Sequence, residues 1–373
     1  MELIRFKPRE AHDFYETVCR RVHEHMENRG LTKYGTGYIW LKAGVFGAVA
    51  LSSYLLIVLK LIPIWTMPLM AIVHGIGLLG FLLNAAHDTA HSALTRHHWL
   101  GEAILNLTFY LLGINGYLWK QRHVHSHHVF PNINGCDTDV DDNPVLRFSP
   151  NAPYRPWFRY QHYYALFAYC LLQLQMVYVK DFFHWARRDY ANLRNIRHQW
   201  AQAIFFALNK LTHISVYLII PYLVMNVPFW QILVGYLSMS FVTSMLFVLF
   251  FAGTHFADAC IFPTRPENGK IPLTYAEHAM LASLDWEAKN PLWHFLVGGI
   301  NAHAAHHLFP HLCHTHYIEI TPIIEATAKE FGLQYNSTSL WGMLKSHFSL
   351  LKKLSVPNEQ FTDTQKKLIF QVA

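Results

Sequence analysis

The chain has 373 residues, of which 52% are hydrophobic and 14% charged, against about 25% charged in an ordinary soluble domain. Disorder, collagen and coiled coil are excluded, because apolar content is high, glycine numbers only 19 and no heptad persists. The formal charge of +6 is too diffuse to mark a nucleic-acid binder, and the five cysteines (Cys19, Cys136, Cys170, Cys260, Cys313) form no CxxC pair, so neither a disulfide framework nor a thiolate zinc site is expected.

Residues 1–42 are polar and mixed in charge, and 11–29 is expected to form an amphipathic helix at a membrane surface. No signal peptide is expected, since the first apolar run starts only near Ala43. Four runs are long enough to cross a bilayer: about 43–62, 67–86, 208–226 and 228–252. They form two close pairs, joined by Pro63-Ile64-Trp65-Thr66 and by Asn226-Val227, and each pair predicts a helical hairpin. Segments 1–42, 87–207 and 253–373 then share one face, which the excess of Lys and Arg makes cytoplasmic, in a bacterial inner membrane or the endoplasmic reticulum. The weaker apolar runs 100–119 and 163–179 contain Glu102, Asn106, Asn115, Gln173 and Gln175, and are expected to lie at the interface or re-enter the membrane. Residues 131–157 read as a loop, and 353–373 as a polar tail. The expected architecture is an all-α integral membrane fold. Two transmembrane hairpins (domain 43–352) carry a cytoplasmic helical cap and interfacial helices that hold a two-metal site, behind the amphipathic segment 1–42.

Histidine is the compositional anomaly, with 26 residues against 30 Lys and Arg. His87 and His91, at the inner end of the second run, share one face of a helix at spacing i, i+4. His123 and His127 repeat that spacing, with His128 about 100° away around the helix. His303, His306 and His307 combine i, i+3 and i, i+4 pairs, spaced by small alanines. A pair alone can be interfacial histidines. Three clusters beside apolar runs on one predicted face are hard to explain as solvated surface. Their eight imidazoles exceed the four ligands of a zinc site and suit two six-coordinate ions, although imidazole serves iron, copper, zinc and nickel alike.

At these residues the chain resembles the integral-membrane fatty acid desaturases, and within them the acyl-CoA and acyl-lipid branch that includes linoleoyl-CoA desaturases. The resemblance runs from about Leu31 to Tyr335 and rests on the HxxxH box 87–91, the HxxxHH box 123–128 and the HxxHH box 303–307. Pro131-Asn132, Asp137-Thr-Asp139, Leu146-Arg147-Phe148-Ser149-Pro150, Arg159-Tyr-Gln161-His162, Gly298-Gly299-Ile-Asn301 and Leu308-Phe309-Pro310 extend it. It implies a cytoplasmic-facing centre of two Fe ions that uses O2 and two external electrons to remove two hydrogens from an acyl chain. The eight box histidines would be ligands, and His255, just past the fourth run, matches the position of a ninth. Phe251 stands where some members carry an Asn, and His303 stands where front-end members often carry Gln, which argues against that group. No HPGG haem motif occurs, so a separate ferredoxin or b-type cytochrome is the expected donor. Asp88, Asp137, Asp139 and Asp141 are candidates to orient ligand imidazoles, or simply to cap a helix. Arg122, Arg147, Arg155 and Arg159 are candidates for a phosphate-bearing headgroup, coenzyme A or acyl-carrier protein, or else form a plain basic face. Trp119 and Trp157 read as interface anchors.

The same oxidant can yield an alcohol or a triple bond, so a hydroxylase, alkane monooxygenase or acetylenase competes with the desaturase. A metal transporter is disfavoured because the clusters sit beyond the span ends, and the runs hold few ionisable groups beyond His74 and His213. A zinc hydrolase would not need eight histidines.

Overall fold

The computed structural model describes residues 4–141 and 143–361, so the tail expected over 353–373 lies outside the described residues beyond position 361. In chain order, α1 (Phe14–Asn28) precedes two long apolar helices, α2 (Gly37–Val58) and α3 (Ile64–Ala90). A shorter pair follows, α4 (His98–Leu112) and α5 (Gly116–Arg122). After a helical stretch over 161–186, broken at Leu171, come the long helices α6 (Trp200–Met225) and α7 (Phe229–Thr254). Then follow α8 (Tyr275–Leu281), α9 (His303–Leu308), α10 (Tyr317–Glu330) and α11 (Leu340–Lys353).

α2, α3, α6 and α7 are the four described helices long and apolar enough to cross a membrane. Their outward leucines support that role: Leu51, Leu69 and Leu223 are 61%, 64% and 73% exposed, which in water would be an apolar surface without a partner. Two of the helix ends are set by caps rather than by hydropathy. Gln199 and Gln202 form a reciprocal cap, so α6 begins at Trp200, eight residues before the expected span at 208. Lys60, with φ 53°, closes the end of α2 in the left-handed region.

The chain divides into two compact units. One comprises Gly35–Gln121 and Leu166–Val248. In it α2 and α3 pack closely because Gly77 faces the backbone of Ala50 and Gly80 faces the ring of Phe46. The weak run 100–119 is a helix, a turn and a second helix. The carbonyls around the turn at Gly113 are satisfied by side chains of α6. Asn209 donates to Phe109 O and Ile114 O (2.9 and 3.1 Å), Lys210 Nζ to Gly113 O (2.6 Å), and His213 Nδ1–H to Leu111 O (2.8 Å). Gln173 donates to Leu112 O at 3.0 Å. Asp181 accepts from the Asn115 N–H (2.7 Å) and from Lys210 Nζ (2.5 Å). Lys210 stands ten residues into the 26-residue α6, roughly 15 Å along it. The turn is thus held beside the middle of a membrane span, as backbone at that depth requires.

The other unit comprises Met1–Tyr34, Arg122–Ala165 and Leu249–Ala373, as far as described. α1 begins at an Asp13 cap that accepts from Glu16 N. It forms as its periodicity predicts, but its apolar face does not lie on lipid. Phe14, Val18, Val22 and Met26 are buried in one cluster with Ile320, Ile324 and Ala328 of α10. Two short parallel pairings tie distant segments together: Arg5–Phe6 with Lys270–Ile271, and Asp285–Trp286 with Ser337–Thr338.

Candidate metal centre

His127, His255, His303 and His307 converge in the second unit, all fully buried. His255 Nε2 lies 2.7 Å from His303 Nε2, 2.8 Å from His307 Nε2 and 3.1 Å from His127 Nε2. The opposite ring nitrogens explain why. His255 Nδ1–H donates to Ala282 O (2.7 Å), His303 Nδ1–H to Ile300 O (3.1 Å), and His127 Nδ1–H to the Asp137 carboxylate (3.1 and 3.2 Å). A neutral imidazole carries one proton, so each of these acceptors leaves a bare lone pair on Nε2. Three lone pairs pointed at one another in a dry interior repel unless a cation lies among them. The residues therefore fit a bound metal. Burial, then the neighbouring imidazoles, hold His255 and His307 well below the usual histidine value, which keeps them neutral and able to ligate. Burial also pulls on His127, but the carboxylates of Asp137 and Asp139 outweigh it and raise its affinity for a proton, and so for a metal.

His123, His128 and His306 form a second group in the same unit. The His128 and His123 Nε2 atoms are 3.2 Å apart, and the His128 and His306 rings lie 4.5 Å apart. This corrects the α-helical expectation for the second box. Residues His123–His127 form a π-turn in which His128 N–H reaches back five residues to His123 O (2.9 Å). The wider turn swings His128 back over His123 instead of about 100° away. His87 and His91 belong to the other unit, where their rings pair at 5.2 Å; a second π-turn, Leu82–Ala86, immediately precedes them.

Of the expected carboxylates, Asp137 is fully buried on His127, and it also accepts from Asn132 N–H and Asp139 N–H (both 2.9 Å). Asp139 stands 3.7 Å from His127 Nδ1, too far for a hydrogen bond. Asp88 is buried in the other unit beside His87. Asp141 accepts from Asn134 at 3.0 Å. Arg147 is not a headgroup ligand. It is 2% exposed, and its guanidinium is spent on the carbonyls of Ala152, Pro150 and Val356 and on Asn358 Oδ1. Arg122 is buried, whereas Arg155 and Arg159 are exposed and lie over the rings of Trp157 and Tyr160. Trp119 packs on Phe109 and beside His87 (4.9 and 6.2 Å).

Several supporting roles escaped the sequence reading. Asn132, with φ 62°, donates through its amide to His255 O and Ile261 O (both 3.0 Å). Asp285 accepts from Ala304 N–H at the start of α9 and from Tyr335 OH (2.8 and 2.6 Å), and burial pushes it up to about 6. Phe251 packs 5.7 Å from the His303 ring and 6.3 Å from that of His127, an apolar wall beside the quartet. Of the supporting groups, Thr274-x-x-Glu277, a reciprocal helix cap ahead of α8, carries a local pattern that could have been found in the sequence.

The sequence profile of the fatty acid desaturase family matches residues 33–339. The sn-1 linoleoyl-lipid 6-desaturase of Arthrospira platensis is 29% identical over 350 residues, 93% of this chain and 94% of that protein. The acyl-lipid (8-3)-desaturase of Physcomitrium patens is 28% identical across 93% of this chain and 72% of its own length. The probable Delta(5) fatty acid desaturase C of Dictyostelium discoideum is 28% identical across 92% and 76%.

Proposed function

Since the chain belongs to the fatty acid desaturase family, we propose that this membrane-embedded oxidoreductase desaturates acyl lipids at a centre of two iron ions. The single observation that carries the metal reading is the convergence of Nε2 lone pairs forced by the Nδ1–H bonds of His127, His255 and His303. His127, His255, His303 and His307 are the proposed ligands of one ion. His123, His128 and His306 are proposed as ligands too, and His87 and His91 complete the set that the family resemblance assigns.

When bound, the two irons would supply, with O2 and two electrons, the oxidising power needed to break unactivated C–H bonds. The protein's own residues set the conditions. Asp137 holds the His127 tautomer and raises its basicity. Phe251 and the buried imidazoles keep water away from the reacting centre. Arg155 and Arg159, exposed beside Trp157 and Tyr160, are the proposed contacts for a phosphate-bearing headgroup. The electrons come from a separate ferredoxin or b-type cytochrome, and the centre faces the cytoplasm. The names of the relatives support an acyl-lipid carrier over coenzyme A. They also favour insertion on the carboxyl side of existing double bonds, because a linoleoyl chain carries its own beyond carbon six. That reverses the expectation drawn from His303.

The test is expression of the wild type and of His255→Ala in a host lacking the product, with metal analysis and a fatty-acid profile. Two irons per chain and a new unsaturated acyl lipid, both lost in His255→Ala, are expected. A hydroxylated product would move the protein to the monooxygenases. Zinc, or no metal in a folded preparation, would refute the iron centre.

A further inference from the structure

Helix α8 carries none of the histidines assigned to the metal, yet it and the residue that follows it touch every ligand-bearing segment of its own unit. Tyr275 OH lies 3.0 Å from His128 O and 3.0 Å from His307 O. One turn on, His278 Nε2–H donates to Pro131 O at 2.8 Å, in the loop that follows the second box. Just past the helix, Ala282 O accepts the proton that fixes the His255 tautomer. The helix is itself firmly seated. Thr274 N–H and Glu277 Oε2 close a cap at 2.7 Å, and the Phe6 ring packs edge-on to Tyr275 (5.7 Å) and against His278 (5.3 Å). Phe6 is held there by its pairing with Ile271.

His128 and His307 stand at the closing ends of a π-turn and of α9, and the Tyr275 hydroxyl reaches the backbone carbonyl of each. A single hydroxyl proton shared between the two carbonyls fixes the separation of the two backbones. It therefore fixes the separation of the imidazoles they carry. Metal geometry tolerates errors of only a few tenths of an ångström.

We propose that α8 is the strut that sets the spacing of the second and third histidine boxes, with Tyr275 as its positioning residue. This rests on the metal reading above and goes beyond the ligand assignment. Tyr275→Phe keeps the ring and its packing and removes only the bridge. The test compares wild type, Tyr275→Phe and a control, Tyr164→Phe, whose hydroxyl donates to Val145 O away from the ligands. Iron affinity by chelator competition, the di-iron spectroscopic signature and unfolding of the metal-free protein are measured on each. The expected result is roughly a 10- to 100-fold loss of metal affinity and an altered spectrum in Tyr275→Phe, with the control unchanged. His278→Leu, which releases Pro131 O, should also lose affinity, and carries the test if Tyr275→Phe does not accumulate. Wild-type affinity and spectrum in a folded variant would overturn the strut while leaving the centre intact. A wild type that holds no metal would instead overturn the centre itself.

Discussion

Replacing Asp137 with Asn probes the quartet through a residue that does not ligate. The carboxylate accepts from His127 Nδ1–H with both oxygens, from Asn132 N–H on Oδ2 and from Asp139 N–H on Oδ1. An amide has one oxygen, so one of the two backbone N–H groups would face an NH2 and lose its acceptor. A buried donor left unsatisfied costs about 1–3 kcal/mol. That cost falls on the fold, with or without metal. The second cost falls on the metal alone. Without the carboxylate, His127 loses basicity and a fixed tautomer, a change of roughly 10- to 100-fold in affinity, or about 1.4–2.8 kcal/mol. Thermal unfolding of the metal-free protein reads the first cost, and chelator competition reads the second. Both should appear in Asp137→Asn. A variant that loses only metal-free stability, with affinity within twofold of wild type, would refute the idea that Asp137 tunes the ligand. It would leave Asp137 as a brace for the loop.

Three further predictions address the fold. His347 is buried with Nδ1–H on Phe256 O, and burial pushes it down to about 4 from 6.5. The unfolded chain therefore binds this proton first, so stability is full above pH 6.5 and falls as pH drops towards 4, by roughly 3 kcal/mol at most; His347→Gln should flatten that slope in equilibrium unfolding, and an unchanged slope would refute the assignment. Lys210→Met leaves Asp181 buried without its cation and should cost about 3–5 kcal/mol in detergent unfolding, with partial recovery on adding Asp181→Asn, which still accepts from Asn115 N–H. Gly77→Ala would place a Cβ 2.7 Å from Ala50 N and should lower stability by about 1–3 kcal/mol, while Gly44→Ala, with nothing within 4 Å, should be neutral; equal effects would refute close packing of the first hairpin.

The four spans and the three histidine boxes were legible because both signals are local: apolar runs long enough for a bilayer, and imidazoles at one-turn spacing; His255, which stands alone, came only from its place in the family resemblance. What the sequence hid was set by contacts between distant segments. The π-turn at His123–His127 depends on tertiary packing, and α-helical arithmetic therefore misplaced His128. Arg147 looked like a phosphate ligand because nothing local announces the carbonyl cage formed by residues as far away as Val356. The apolar stripe of α1 was visible, but its partner on α10 lies about 300 positions downstream, and so the stripe read as membrane-facing. Tyr275 and Asn132 act through backbone carbonyls, which leave no trace in residue spacing.

The turn at Gly113 also constrains how the protein can be made. The carbonyls at the end of α4 depend on Asn209, Lys210 and His213, which follow them in the chain by 95 to 102 residues. At about 5–20 residues per second, a ribosome needs roughly 5–20 s to supply those partners. Hydrocarbon offers no substitute acceptor or donor in the interval. The turn around Gly113 is therefore expected to stay at the lipid–water boundary until α6 is in place. The order of insertion is thus not the order of synthesis, and a nascent chain halted before residue 213 should leave this segment accessible to water-soluble labelling reagents.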